Sequence, residues 1–322
     1  MKKVILSIVI ILLIGVSAVA LYVKFGLPDV GNPSELKVEI TPERIKHGEY
    51  LANHVSLCMD CHSTRDWTKF SGPIKEGTKG LGGEVFDQSM GFPGKFYSFN
   101  ITPSHLSNWT DGEIFRTITT GVSKDGRAIF PVMPYSYYGR MDKEDLYDII
   151  AYIRSLKPVE SVTKQRSVDF PMSFILNTIP HKAEFSKKPP SSDIIKYGAY
   201  MINAAACREC HTPVKNGQII ESLAFSGGRE FSFPNGIAKS ANLTSDKETG
   251  IGSWDEDKFV ARFKAYEDGN NLATLKHSEI NTVMPWNMFA GMDTSDLKAI
   301  FAYLQTIPPI KNSVVHFDNA KK

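Results

Sequence analysis

Two short stretches of this 322-residue chain carry all four of its cysteines: SLCMDCHST, with Cys58 and Cys61, and AACRECHTP, with Cys207 and Cys210. In each, two residues separate the cysteines and a histidine, His62 or His211, follows at once. A C-x-x-C pair alone suits a disulfide, a redox dithiol or half of a zinc site. The adjacent histidine in both copies decides against these. C-x-x-C-H is the attachment pattern of c-type haem, in which two thiols bond to the two vinyl groups and the imidazole is held under the iron. The expectation is two covalently bound haem c groups on Cys58, Cys61, Cys207 and Cys210, with His62 and His211 as axial ligands. The other six histidines (His47, His54, His105, His181, His277 and His316) are expected to be surface or packed side chains.

The opposite face of each iron needs a ligand or a vacancy, and that choice separates electron transfer from chemistry on a bound molecule. Two pairs of methionines stand at matched positions: Met133 and Met284 in VMP, Met141 and Met292 before a later helical stretch. The proline after Met133 and Met284 keeps the loop extended, which suits an inward thioether, so these two are the expected sixth ligands. Met141 and Met292 sit where a staple residue would pack and are expected in the core. Asn100, Asn242, Trp109 and Trp254 recur as well. They are read either as hydrogen-bond donors to haem propionates or as braces of the loop below the haem. Arg127 has no clear counterpart in the second copy, which weakens a propionate role for it.

These matches belong to a duplication. RIKHGEYLANHVSLCMDCH is answered by DIIKYGAYMINAAACRECH, LGGEVF by SGGREF, and VMPYSYYGRMDKEDLYDIIAYIRSLKP by VMPWNMFAGMDTSDLKAIFAYLQTIPP. The copies have drifted inside nearly fixed ends. His62 to Met133 is 71 residues and His211 to Met284 is 73, yet His to Asn is 38 against 31 and Trp to Met is 24 against 30.

The elements that must position these residues read as helices. Residues 43–57 and 193–206 are expected to deliver the cysteines, and 142–156 and 293–306 to close each unit. Asp142 with Asp145, and Asp293 with Asp296, stand as a helix cap and its third following residue. Leu146, Ile149, Ile150 and Ile153 form an apolar stripe matched by Leu297, Ile300, Phe301 and Leu304. Gly48 and Gly198 would permit a close crossing by the closing helix, with Tyr152 and Tyr303 as its candidate partners. The linker 161–190 contains SFILNTIP and is expected to pack.

After Lys2 and Lys3 comes an apolar run from Val4 to Val23, long enough for a membrane-crossing helix. The reading is an anchor at 1–24 with the bulk of the chain outside the cytoplasm. The alternative is a signal segment cut near Ala20, since Ala18, Val19 and Ala20 form an A-x-A pattern, leaving the protein soluble in the periplasm. Residues 25–42 read as a tether, and the tail ending NAKK as disordered. A formal charge of +2 gives no electrostatic reason to expect nucleic acid.

CMDCH and CRECH, NITP and NLTSDKETGIGSW, and VMPY and VMPW with their closing helices resemble the membrane-anchored diheme cytochromes c, similar to the cytochrome c subunits of bacterial membrane alcohol and gluconate dehydrogenases. The resemblance implies an all-α chain of two tandem class I cytochrome c domains after an N-terminal transmembrane helix: domain 1 at 43–160, domain 2 at 191–310, and a tail at 311–322. It implies His62 with Met133 on one haem iron and His211 with Met284 on the other. Those dehydrogenase subunits typically show three haem domains, and two are visible here. The function expected is electron transfer, without substrate chemistry of its own, from a periplasmic or membrane dehydrogenase to a downstream cytochrome or terminal oxidase. The alternative is a diheme peroxidase or thiosulfate-oxidising cytochrome with one haem open to substrate.

Overall fold

The computed structural model describes residues 1–162, 164–276 and 278–319. His277 and the last three residues of the tail lie outside the described residues. The chain begins with an apolar helix, Lys2–Phe25, of mean hydropathy 3.1 and without buried surface through its most apolar stretch. Its 24 residues give a length of about 36 Å, enough to cross a hydrocarbon core.

Beyond it stand two matched pairs of helices. An opening helix, Pro42–Tyr50, packs on a closing helix, Lys143–Ser155, and a second opening helix, Ile194–Ala204, packs on a second closing helix, Thr294–Leu304. Both crossings turn on a glycine. A Cβ on Gly48 would lie 1.8 Å from the Asp148 carbonyl oxygen, and one on Gly198 would lie 1.9 Å from that of Ala299. Hydrogen therefore lets the helix axes approach until backbone meets backbone. Asp148 and Ile149 stand nearest Gly48 at the first crossing, and Tyr303, as expected, borders Gly198 at the second. The apolar stripes fill the core behind them, with Leu146, Ile150 and Leu297 fully buried.

The first opening helix is shorter than the expected 43–57. It passes into a π-turn, Leu51–Val55. Tyr50 to Cys58 spans eight residues and Tyr200 to Cys207 spans seven, so the wide turn absorbs one extra residue and lets the same cysteine geometry follow.

The chain is mainly helical but not all-α. Among the described residues are eight short strands, in one two-stranded and two three-stranded sheets. Gly94–Tyr97 pairs with Val85–Phe86 on one side and with Ser167–Val168 of the linker on the other. Glu230–Phe233, Gly236–Lys239 and Phe317–Asn319 form the equivalent second sheet. Asn319, expected to be disordered, is therefore held in a strand by its backbone.

The linker packs, as its apolar content suggested. Phe185 stacks on Phe115, and Lys188 pairs with Asp145. Residues 25–42 are more than a free tether: the Val38 amide donates to Asp111, and Val38 itself is buried. The linker also reaches the N-terminal helix, where Asn177 donates to the Val23 carbonyl at 3.2 Å.

Candidate cofactor sites

Both cysteine motifs begin in the same way. A non-glycine residue in the left-handed region, Leu57 (φ 53°) or Ala206 (φ 49°), turns the chain out of the opening helix into a single short turn, Cys58–Cys61 or Cys207–His211. That conformation costs about 1–2 kcal/mol for a residue with a Cβ. It recurs at the same place in both copies, which ties it to presentation of the cysteines.

All four cysteines are free. Burial pushes the thiols of Cys58, Cys61 and Cys207 up to about 12, and that of Cys210, the most exposed of the four residues, up to about 11.

Each histidine is held by its far nitrogen. His62 Nδ1 lies 2.7 Å from the Phe99 carbonyl oxygen and His211 Nδ1 lies 2.8 Å from that of Ala241. A carbonyl oxygen only accepts, so Nδ1 carries the proton and Nε2 keeps its lone pair. Burial lowers the pKa of both rings and keeps them neutral. A neutral imidazole, fixed at Nδ1 and open at Nε2, is a prepared metal ligand. The donor set therefore fits haem c: paired neutral thiols and one oriented imidazole at each site. The Tyr135 hydroxyl, buried close after Met133 with no hydrogen-bond partner, is a further polar atom that a bound group would satisfy.

Two glycines that the sequence showed only as part of a repeat complete this arrangement. The Gly82 amide donates to the His62 carbonyl and the Gly227 amide to that of His211, each at 2.9 Å. Both have φ +73°, and a Cβ on either would lie 2.4 Å from the carbonyl carbon of Phe99 or Ala241, the peptide that holds the imidazole.

Met133 and Met284 are half-buried and border the apolar core, as do Cys58 and Cys207. Met141 and Met292 are 0% and 1% exposed and belong to the core.

Asn100 and Asn242 are braces. Asn100 Nδ2 donates to Val159 O and Ser161 Oγ, while its Oδ1 accepts from Thr102 N and Oγ1. Asn242 repeats this with Ile310, Thr249 and Thr244. Both amide protons of each are committed, which leaves none for a propionate. Arg127 is exposed and turned to Asp125. Of the other described histidines, His47 pairs with Asp148, His54 binds the Met288 carbonyl, His105 stacks on Phe99, and His181 and His316 meet backbone carbonyls. The cluster of His47, Asp145 and Asp148 is already closed by Arg44 and Lys188.

The second acid of each expected cap does something else. Asp142 caps its helix through the Glu144 amide, but Asp145 and Asp296 turn inward and are 2% and 5% exposed. Each accepts a tyrosine hydroxyl from the opposite half, a role the cap pattern gave no sign of.

Fold and site together describe a chain with two matched C-x-x-C-H turns, each with a buried imidazole held at Nδ1. No family model matches the sequence. The chain is similar to the cytochrome c subunit of a quinone alcohol dehydrogenase from Gluconacetobacter polyoxogenes, at 28% identity over 84% of this chain and 57% of that one. It is also similar to the fructose dehydrogenase cytochrome subunit of Gluconobacter japonicus, at 27% over 86% and 56%, and to a diheme cytochrome c-type protein of Cereibacter sphaeroides, at 24% over 79% and 83%. The chain thus spans little more than half the length of the dehydrogenase subunits it matches.

Proposed function

We propose that the protein is a membrane-tethered diheme c-type cytochrome that carries electrons between redox proteins. The observation that carries this reading is the matched pair of C-x-x-C-H turns, each with its histidine fixed at Nδ1 and open at Nε2. Residues 43–160 and 191–310 are read as tandem class I cytochrome c domains joined by 161–190, with 1–24 as the membrane anchor.

Cys58 and Cys61 would form the thioethers to one haem and Cys207 and Cys210 those to the other, with His62 and Met133, and His211 and Met284, as axial ligands. Bound haem supplies a reversible one-electron couple at each site, and a thioether opposite an imidazole raises its potential. The chain's own residues fix the imidazole tautomer, keep the rings neutral and close the apolar wall around each site. Similarity to dehydrogenase cytochrome subunits supports a dehydrogenase as donor; the acceptor in this proposal is a further cytochrome or terminal oxidase. The lysines before the apolar helix support an extracytoplasmic position for the haem-bearing part.

Haem counting by pyridine assay and near-infrared spectroscopy of the oxidised, haem-loaded protein test this reading. Two low-spin haems with a methionine-to-iron band are expected. A high-spin haem with peroxide turnover would replace the carrier with an enzyme. Recovery of the intact chain from alkali-washed membranes tests the anchor, and a mature chain beginning after Ala20 in the soluble fraction would overturn it.

A further inference from the structure

The two copies differ most where they touch. His62 to Gly82 spans 20 residues and His211 to Gly227 spans 16, so the first copy carries the longer loop after its cysteine motif. The second copy carries the longer segment before its methionine, 30 residues from Trp254 against 24 from Trp109. The two enlargements meet. The Phe70 amide donates to the Ala273 carbonyl and the Leu275 amide to that of Thr68, each at 2.9 Å, while Lys69 and Thr274 form an antiparallel bridge. Asn281, 5% exposed, sends its amide to the Trp67 and Lys69 carbonyls and accepts the Ser71 amide at 2.9 Å.

Ser71 is the tip of this insertion. It is fully buried and held at φ 65°. Its hydroxyl donates to the Met284 carbonyl at 2.7 Å and accepts from the Trp286 amide at 2.9 Å, bridging the turn that carries Met284. The Ser71 carbonyl is itself held by Arg65 at 2.8 Å, and Arg65 pairs with Asp60, inside the first cysteine motif, at 3.0 Å. A line of hydrogen bonds thus runs from the first cysteine motif to the second methionine. The Met133 turn has the same internal bond, Tyr135 amide to Met133 carbonyl, but among the described residues no side chain from the other half bonds to these two groups; Asn203 reaches only the Tyr137 carbonyl further on, as His54 reaches that of Met288 in the other half.

We infer that Ser71 is a positioning residue for Met284: the first half holds the second half's methionine on its iron through a serine bridge that has no counterpart at Met133. The inference rests on the proposal that Met284 is an axial ligand.

The test uses the full, haem-loaded chain with imidazole as a competitor for the methionine position, titrated at each haem. The haems are assigned beforehand with Met133→Leu and Met284→Leu, which also set the ceiling of the effect. Ser71→Gly removes the hydroxyl without opposing the left-handed backbone. It is expected to tighten imidazole binding at the His211 haem about tenfold, the ratio that a net loss near 1.4 kcal/mol from the severed bridge carries, and to leave the His62 haem unchanged. Asn281→Ala, acting from the receiving side, is expected to shift the same haem in the same direction.

The His62 haem serves as the internal control for misfolding. Equal tightening at both haems, or none at either, overturns the inference. If Met284→Leu itself leaves imidazole binding unchanged, the ligand assignment fails and the inference falls with it.

Discussion

Tyr50, on the first opening helix, donates its hydroxyl to Asp296 Oδ2 of the second closing helix at 2.5 Å, and Tyr200 returns the contact to Asp145 Oδ2 at 2.6 Å. Each hydroxyl also accepts the amide of the aspartate at the helix N-cap position, Asp293 or Asp142, at 3.1 Å, although only Asp142 caps its helix through the side chain as expected of both. The halves therefore meet about an approximate twofold exchange of buried polar pairs, and each closing helix is completed by the other half's tyrosine.

The two pairs are not equal in strength. Asp145 keeps Lys188 at 2.5 Å when its tyrosine is removed, whereas Asp296 is left with the Tyr197 hydroxyl at 3.0 Å. Tyr50→Phe is expected to cost about 1–3 kcal/mol, the penalty for stranding a buried acceptor, and Tyr200→Phe less. Denaturant unfolding of both variants checks the order, and a larger loss in Tyr200→Phe would refute the account.

The same pairs set an alkaline limit. Burial, reinforced by Asp296, raises the Tyr50 pKa, and burial with the Asp145 charge raises that of Tyr200. A folded-state pKa above the unfolded value means that the native state holds the proton longer. The stabilisation is complete below the ordinary tyrosine value near 10 and is lost as pH rises above it. Unfolding midpoints of the native chain are expected to fall above about pH 10, with a shallower fall in the Tyr50→Phe, Tyr200→Phe double variant.

Gly48 and Gly198 offer a second stability test. Alanine at either position forces its Cβ into the facing backbone carbonyl, which only a shift of the helix can relieve. Each substitution is expected to cost about 1–3 kcal/mol or more, and the two to add nearly independently. A neutral Gly48→Ala would mean that the helices do not cross at this distance.

What the sequence made legible were the features written in local pattern. These were the cysteine turns, the closing helices with their stripes, the glycine crossings and the core places of Met141 and Met292. Hidden were partners set by tertiary geometry. The backbone carbonyls of Phe99 and Ala241 carry no side-chain signature, and Asp145 and Asp296 have the spacing of a cap while serving the other half. The unequal spacings inside nearly equal ends read as drift in one dimension. In three dimensions the longer loop of one half meets the longer segment of the other. The strands are two to four residues long, too short for alternation to register.

Arg154 and its counterpart Gln305 each hold a matched loop within their own half, with unequal means. Arg154 pairs with Asp111 at 2.8 Å and donates to the Leu106 and Trp109 carbonyls, whereas Gln305 donates to Ile251 O at 2.9 Å. Arg154→Ala leaves Asp111 with the Val38 amide alone and strands two carbonyls, and is expected to cost about 2 kcal/mol. Arg154→Gln should retain one carbonyl bond and cost less. Equal losses in thermal unfolding would show that the charge alone matters.

Gly82→Ala tests how the first histidine is held. At φ +73° an alanine is strained, and its Cβ would lie 2.4 Å from the Phe99 carbonyl carbon, whose oxygen fixes His62 Nδ1. Displacing that peptide weakens the bond that sets the imidazole tautomer and orientation, a partner that tunes a metal through its ligand. On the proposed assignment of one haem to each histidine, the expected outcome is a shifted reduction potential and altered spectrum for the His62 haem, with the His211 haem unchanged. Gly227→Ala should give the reverse, because the Ala241 peptide holds His211 in the same way. Each variant thus carries its own control in the other haem. Loss of both haems would report misfolding of the whole chain, and two unaltered potentials in a folded protein would refute a positioning role for these glycines.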